Sequence, residues 1–153
     1  YVTMNAIGNI LNMRYLESIR EKEGGSYGVG VRGALGNTPV DQASVMMQFD
    51  TDPEKQAHLM SIIHKEVDEI VEKGPRADDL GKVKENMIKK YAEDLRENNW
   101  WSGAIARFYQ DELNFVEDYT AAVEALTSEK IQSTLRKLTE QGNVLEVVMM
   151  PGE

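Results

Sequence analysis

The chain has 153 residues, of which 41% are apolar and 28% are charged, and its formal net charge is −9. This length and composition suit one globular domain and exclude a disordered chain. The negative charge argues against a nucleic-acid partner, and no apolar run approaches the ~20 residues of a membrane span. Cysteine is absent, which excludes disulfides and leaves the compartment open between a bacterial cytoplasm and the periplasm or cell envelope.

The first predicted element is a helix over residues 3–22. Its apolar stripe repeats at four-residue steps, at Ile7, Leu11, Tyr15 and Ile19. Gly24 and Gly25 are expected to end it, because glycine readily takes the left-handed conformation of helix ends. Residue 1 is Tyr rather than Met, and the helical pattern is running by residue 4. We therefore expect the chain to be part of a longer polypeptide.

Two strands are predicted next, over residues 26–34 and 43–50. The turn signal "GNTP" at 36–39 separates them, and the short connection predicts a hairpin. One face of the first strand is apolar and the other is nearly bare, since it carries Ser26, Gly28, Gly30 and Arg32.

The remainder of the chain reads as helices and one closing strand. The expected elements are a helix from Asp52 to Gly74, a helix starting at Asp78 or Asp79, an interruption at "ENNWWSG" (97–103), a short helical stretch with Ile105 and Phe108, a short helix over 117–126, a helix from Thr127 to about residue 140, and a strand over "NVLEVVMMP". This order predicts a single α+β domain over residues 1–153, with an antiparallel or mixed sheet packed on one face by helices.

Metal-binding and nucleophile motifs are missing from the sequence. The two histidines, His58 and His64, are separated by about 600° of helical rotation and therefore point in different directions. No H-E-x-x-H, H-x-x-E-H or G-x-S-x-G pattern is present. The glycines of "GGSYGVG" precede a strand instead of opening a helix, which argues against a phosphate loop. We predict no metal site within this chain.

Arg20 and Tyr27 flank the glycine-rich turn and admit two interpretations. In the structural one, Arg20 complements the helix dipole beside Glu17, and Tyr27 is a half-buried strand aromatic. In the functional one, guanidinium and phenol converge as two donors that grip a carbonyl oxygen and stabilise an oxyanion. The bare glycine face beside them then lets an extended peptide approach. On the pattern alone, the structural interpretation is the simpler one.

The stretch "LNMRYLESIREKEGGSYGVGV" resembles the C-terminal-half signature of the insulinase/pitrilysin family of zinc metallopeptidases. That signature is an apolar helix, then L/I-R-E-K-x-G-x-x-Y, then a strand. The resemblance implies two halves that close around a peptide, one of which binds zinc through H-x-x-E-H. It implies that Arg20 and Tyr27 are catalytic donors from the other half. Gly25, Ser26, Gly28 and Gly30 are then the candidate substrate-binding residues.

Two departures from the family pattern shape the expected function. Because H-x-x-E-H is absent, the chain alone is expected neither to bind the zinc nor to hydrolyse peptides. The strands that precede the Arg-bearing helix in the family are also missing, so we expect a truncated C-terminal peptidase domain that self-associates through an exposed sheet edge. The alternatives are a non-catalytic structural subunit of the same family and an unrelated α+β interaction domain.

Overall fold

A computed structural model describes residues 1–24, 26, 28–37, 39–111, 114 and 116–150. Its elements, in chain order, are helix α1 (Val2–Tyr15), a π-helical segment (Leu16–Lys22), strands β1 (Val29–Gly36) and β2 (Gln42–Phe49), a 3₁₀ turn (Pro53–Lys55), and helices α2 (Gln56–Lys73), α3 (Ala77–Asp94), α4 (Asn98–Asp111), α5 (Tyr119–Glu124) and α6 (Ser128–Glu140). The α+β class expected from the sequence is confirmed.

The first helix changes its winding part-way along. Residues Val2–Tyr15 are α-helical, but the last seven residues of the predicted helix, Leu16–Lys22, form a π-helix. Gly24 has φ 55°, the left-handed conformation expected at this helix end. The predicted apolar stripe is buried along its whole length, at Ile7, Leu11, Tyr15 and Ile19. A four-residue apolar repeat is compatible with both an α-helix and a π-helix, so the hydrophobic periodicity does not distinguish the two.

Strands β1 and β2 form the predicted antiparallel hairpin. Val29 lies opposite Phe49 and Gly36 lies opposite Gln42. The first strand begins at Val29, three residues later than the sequence suggests, and runs to Gly36. The inward face of the hairpin packs against α1 and the core, through Val29, Val31, Val45, Met47 and Phe49. The helices thus cover one face of the sheet, as expected.

Two glycines allow α1 to lie directly on β1. A Cβ atom on Gly33 would sit 2.1 Å from the carbonyl oxygen of Met4, and one on Gly8 would sit 2.8 Å from the Gly33 nitrogen. Neither distance is possible for real atoms, so this backbone-to-backbone contact requires glycine on both elements. The contact fixes α1, and with it the π-helical segment, relative to the strand.

Helices α2, α3, α5 and α6 complete the core around α1. Gly74 ends α2 with φ 79°, and the backbone N–H of Lys130 donates to Thr127 Oγ1 at 3.2 Å, which confirms both predicted helix boundaries. Asp52 precedes the 3₁₀ turn, but its side chain makes no capping hydrogen bond. The buried side chains of these helices include Leu59, Ile63, Ile70, Val83, Met87, Val123, Ile131 and Leu135.

The interruption predicted at 97–103 is wrong, because α4 begins at Asn98 and contains both tryptophans. Trp100 packs edge-on against Tyr91, with ring centroids 5.7 Å apart. The indole N–H of Trp101 donates to the carbonyl of Leu95 at 2.9 Å. These tertiary contacts outweigh the weak helix propensity of the adjacent asparagines.

The closing strand predicted over "NVLEVVMMP" is also not observed. Residues 143–150 belong to no helix or strand, and their apolar side chains are exposed, at Val144, Leu145, Val147, Val148, Met149 and Met150. A strand needs a neighbour for its backbone hydrogen bonds, and within the described residues the sheet contains β1 and β2 alone. The apolar character of a strand is present, but within the described residues the partner that would make it a strand is not.

Candidate functional site

The candidate site lies where the π-helical segment gives way to β1. Of the six residues proposed from the sequence, Arg20, Ser26, Gly28 and Gly30 are placed by the structure, whereas Gly25 and Tyr27 lie outside the described residues. The π-helical segment contacts both β1 and α2. The end of the first helix and the start of the strand are therefore neighbours, as the tight turn predicts.

Arg20 is exposed near the end of the π-helical segment. The sequence suggests Glu17 as its partner, but that pairing is wrong. Glu17 instead accepts from Lys22 Nζ at 2.9 Å and from Arg76 Nη2 at 2.8 Å. Among the described residues Arg20 has no hydrogen bond or ion pair from its side chain, so its guanidinium presents its donors to the surroundings.

Glu17 is the acceptor at the centre of a charged cluster. Its hydrogen bonds with Lys22 and Arg76 lower its pKa to about 2 from an ordinary 4.5. The hydrogen bond to Glu17 and, to a smaller extent, the one to Asp79 raise the pKa of Arg76 above its usual range. Arg76 Nε donates to Asp79 Oδ2 at 2.7 Å. Glu17 and Arg76 therefore both stay charged at neutral pH.

Ser26 and Gly28 close a small loop immediately before β1. The backbone N–H of Gly28 donates to Ser26 Oγ at 3.2 Å, and that hydroxyl donates to the Gly28 carbonyl at 2.8 Å. Short serine-to-backbone bonds of this type stabilise turns. The pair fixes the chain on the side of the turn next to the strand, so the start of β1 is held in place by local bonds.

Gly28 and Gly30 form a bare patch at the start of β1. Both are exposed, and a Cβ atom added at either position would meet no atom within 4 Å. Neither has a positive φ, in contrast to Gly24, Gly74 and Gly142. Within the described residues, therefore, neither packing nor backbone conformation requires glycine here. The predicted flat face exists, and it is open.

A buried ion cluster anchors the helix just before the π-helical segment. Arg14, which is 5% exposed, places Nη2 2.5 Å from Glu69 Oε2 and Nε 2.6 Å from Glu66 Oε2. The second contact is ionic, because it lacks hydrogen-bond alignment. Arg14 lowers the pKa of Glu69. The neighbouring Tyr15 donates to the Ile63 carbonyl at 3.1 Å, and burial raises its pKa. These groups join α1 to α2; Arg14 and Tyr15 are buried and closed to a ligand, whereas the Glu69 side chain is 38% exposed.

The residues of this chain do not fit the zinc ion that the family resemblance implies. The described ranges hold no group of three or more His, Cys, Asp or Glu side chains arranged to bind a metal. His58 Nε2 lies 3.1 Å from Glu23 Oε2, whereas His64 Nε2 lies 2.7 Å from Glu146 Oε1. Each histidine is thus paired with a single carboxylate at a separate place on the surface.

Sequence comparison gives one decisive match. The family described as the peptidase M16 inactive domain matches residues 1–87, which is more than half of the chain. The chain belongs to the peptidase M16 family. It is a C-terminal domain of the insulinase/pitrilysin type, which confirms the resemblance carried by the motif around Arg20. No curated protein gave a significant sequence match.

Solved structures share the fold of this M16 domain. The periplasmic protease PqqL from Escherichia coli matches with a TM-score of 0.71 at 17% identity, over 89% of this chain and 15% of its own. A protease from Helicobacter pylori matches with a TM-score of 0.74 at 13% identity, over 89% and 34%. A peptidase M16 inactive domain from Pseudomonas fluorescens matches with a TM-score of 0.69 at 21% identity, over 90% and 34%.

The M16 domain spans only 15% to 34% of the length of these structures. None of the helices formed by its described residues combines the length and the apolar character needed to cross a membrane.

The charged cluster around Glu17 is the part of the site that sequence reasoning misses. Arg76 lies 59 residues after Glu17 and reaches it only because the start of α3 packs beside the π-helical segment. In the sequence, the three-residue spacing of Arg76 and Asp79 predicts that these two residues pair on one helix face. It does not predict that Arg76 also bonds to Glu17.

Proposed function

We propose that this M16 domain is the Arg/Tyr-bearing half of a zinc-dependent endopeptidase, with Arg20 and Tyr27 as its catalytic residues. One observation carries the proposal. An exposed, unpaired guanidinium lies on the segment that contacts β1, and two glycines at the start of that strand, Gly28 just before it and Gly30 within it, are not required by anything in the described chain. Glycine without an internal reason suits close approach by an outside backbone.

The chemistry assigned to these residues is stabilisation of an oxyanion. Addition of water to a peptide carbonyl places negative charge on its oxygen until the C–N bond breaks and the amine leaves. The Arg20 guanidinium and the Tyr27 hydroxyl donate hydrogen bonds to that oxygen as its charge develops. A charged guanidinium makes the stronger of the two bonds. These donors bind the transition state more tightly than the substrate, which is the condition for raising kcat.

The substrate is a peptide in an extended conformation. Ser26, Gly28 and Gly30 line its path, together with Gly25, and the missing side chains let its backbone lie against the strand. The zinc belongs to a separate H-x-x-E-H half, on the same polypeptide or on a partner subunit. The family description as an inactive domain accords with this division of labour, because the domain then has no activity by itself.

Kinetics of the assembled peptidase test this assignment. The domain is combined with its H-x-x-E-H half, and peptide cleavage is measured for Arg20→Ala and Tyr27→Phe. Loss of one oxyanion donor typically lowers kcat by about 10²–10³. Arg96→Ala and Tyr109→Phe are the matched controls, because both side chains are exposed elsewhere on the domain. The controls should retain full activity.

Two outcomes decide between function and scaffold. If folded Arg20→Ala and Tyr27→Phe variants cleave at the wild-type rate, the catalytic assignment is wrong. If the complete wild-type assembly is itself inactive, the domain is a structural subunit of the family instead.

We also propose that the isolated chain associates with a second copy of itself. The hairpin has a free edge on each side within the described sheet, and residues 144–150 expose six apolar side chains in a run interrupted only by Glu146. Unpaired edges and apolar strand-like segments are the usual templates for pairing between chains.

A further inference from the structure

We propose that Glu17, Arg76 and Asp79 act as a brace that positions Arg20 for catalysis. They are positioning residues, since none of them is placed to touch the substrate. The inference rests on the function proposed for Arg20. It assigns a role to three residues other than Arg20 and Tyr27, the two donors of the family motif.

The brace begins at a buried anchor in α3. Asp79 lies in the first turn of α3 and is 5% exposed. A carboxylate is favoured at that position by the positive end of the helix dipole. Asp79 Oδ2 accepts from Arg76 Nε at 2.7 Å, which fixes the plane of the Arg76 guanidinium. Because that plane is rigid, the direction of its remaining N–H donors is set as well.

Arg76 then reaches across to the π-helical segment. Its Nη2 donates to Glu17 Oε2 at 2.8 Å. Glu17 is three residues before Arg20 in the same segment. A displacement of Glu17 relative to α3 therefore moves the backbone that carries Arg20.

The second contact of Glu17 holds the winding of the segment. Lys22 Nζ donates to Glu17 Oε1 at 2.9 Å, and the two residues are five apart. Five residues is the hydrogen-bond spacing of a π-helix, so this side-chain pair spans one π-helical turn. Arg20 lies between its two ends. π-helices are rare, are mostly single turns, and are frequent at functional sites. A π-helical segment of seven residues is longer than usual, so it needs support of this kind.

Exposure separates positioning from stability. The side chains of Glu17 and Arg76 are 39% and 48% exposed, and ion pairs at such sites contribute little to folding. Orientation at a reacting centre is far more sensitive, because a misplacement of about 1 Å costs on the order of 10² in rate. Loss of the brace should therefore lower kcat while the domain remains folded.

The test uses Glu17→Gln and Arg76→Gln in the assembled peptidase, each alone and combined with Arg20→Ala. We expect kcat to fall about 10- to 100-fold with little change in KM. The melting temperature of Glu17→Gln should stay close to that of the wild type, whereas Arg76→Gln should be folded but less stable, because it removes the partner of the buried Asp79. In the Arg20→Ala background the same changes should cost nothing further, because the residue they position is gone. Arg76→Lys, which keeps the charge but loses the planar fork, should give an intermediate kcat.

A matched control is available at the same end of α3. Lys82 and Asp78 form an exposed ion pair at 2.6 Å, and among the described residues neither has a hydrogen bond or ion pair with the π-helical segment. Lys82→Gln should leave kcat unchanged. Hydrogen exchange gives a readout independent of activity, since the amides of residues 18–22 should exchange faster in Arg76→Gln and not in Lys82→Gln.

The possible results separate the brace from the proposed function. If Arg20→Ala retains full activity, the function proposed for Arg20 fails. If Arg20→Ala is impaired but Glu17→Gln and Arg76→Gln are fully active, the brace alone is overturned. The brace is also overturned if the losses add in the Arg20→Ala background, or if exchange at residues 18–22 is unchanged.

Discussion

At the scale of single residues, the glycines in β1 and just before it have two different roles. Gly33 is needed inside the protein, because the carbonyl of Met4 occupies the place of its side chain. Gly28 and Gly30 face open space and have ordinary backbone conformations. The sequence reveals the bare face but not this division, because which glycine faces a helix depends on how α1 crosses the strand.

The two kinds of glycine predict opposite effects of alanine substitution. Gly30→Ala should stabilise the isolated chain by about 0.5–1 kcal/mol, since alanine loses less backbone entropy in a strand. In the assembled peptidase the same methyl group should raise KM for peptide, because it stands where the substrate backbone lies. Urea unfolding and steady-state kinetics measure the two effects. Gly30→Ala with unchanged KM would contradict the proposed path of the substrate.

Gly33→Ala is the internal comparison on the same strand. The added methyl group would overlap backbone atoms, which cannot move aside as a side chain does. We therefore expect Gly33→Ala to lower the free energy of unfolding by about 1–3 kcal/mol. Gly36→Ala meets no atom within 4 Å and, like Gly30→Ala, should be neutral or slightly stabilising. A Gly33→Ala variant as stable as Gly36→Ala would contradict the close contact between α1 and β1.

The lowered pKa of Glu17 predicts how stability depends on pH. A carboxyl group whose pKa falls on folding stabilises the protein above its unfolded pKa, and loses that effect as pH falls through the folded value. For Glu17 these limits are 4.5 and about 2. Because Glu17 is 39% exposed and solvent weakens its ion pairs, wild type should be only slightly more stable than Glu17→Gln at pH 7, and this small difference should shrink between pH 5 and pH 2. Thermal unfolding across this range checks it, and a difference independent of pH would contradict the charged contacts of Glu17.

At the scale of elements, local sequence signals predict most boundaries correctly. Gly24, Gly74 and Thr127 end or begin helices where their chemistry requires it. The failures have a common cause in tertiary partners. The break falls at 95–97 and residues 98–103 are helical, because Trp100 packs against Tyr91 and Trp101 donates to the Leu95 carbonyl. Residues 143–150 are not a strand, because no neighbouring strand among the described residues pairs with them.

The candidate site shows the same limit. Arg20 and the glycines are found from a local motif, because the residues lie within one stretch of chain. The π-helical conformation of Leu16–Lys22 and the hydrogen bond between Glu17 and Arg76 cannot be found from a local motif, because they depend on a contact between residues 59 positions apart. Sequence thus identifies which residues carry the proposed chemistry, whereas the structure supplies what holds them.

At the scale of the whole molecule, the described residues expose both an apolar segment, 144–150, and the two edges of a two-stranded sheet. We expect the isolated chain to dimerise through these edges, with a mass that rises with concentration in light scattering. Val147→Lys should shift the equilibrium towards monomer, because a charge on an edge opposes pairing. Gln141→Lys, just outside the apolar segment, should not. A wild-type chain that is monomeric up to about 1 mM would contradict self-association.

The central claim, that Arg20 and Tyr27 converge on a peptide carbonyl oxygen, is tested most directly by a crystal structure of the assembled peptidase. The bound ligand should be a peptide with a tetrahedral phosphinate in place of the scissile amide. We predict an Arg20 guanidinium nitrogen and the Tyr27 hydroxyl within about 2.7–3.1 Å of one phosphinate oxygen, with the peptide backbone against Gly28 and Gly30. A structure in which the inhibitor is bound while these two side chains point away from it would contradict the account.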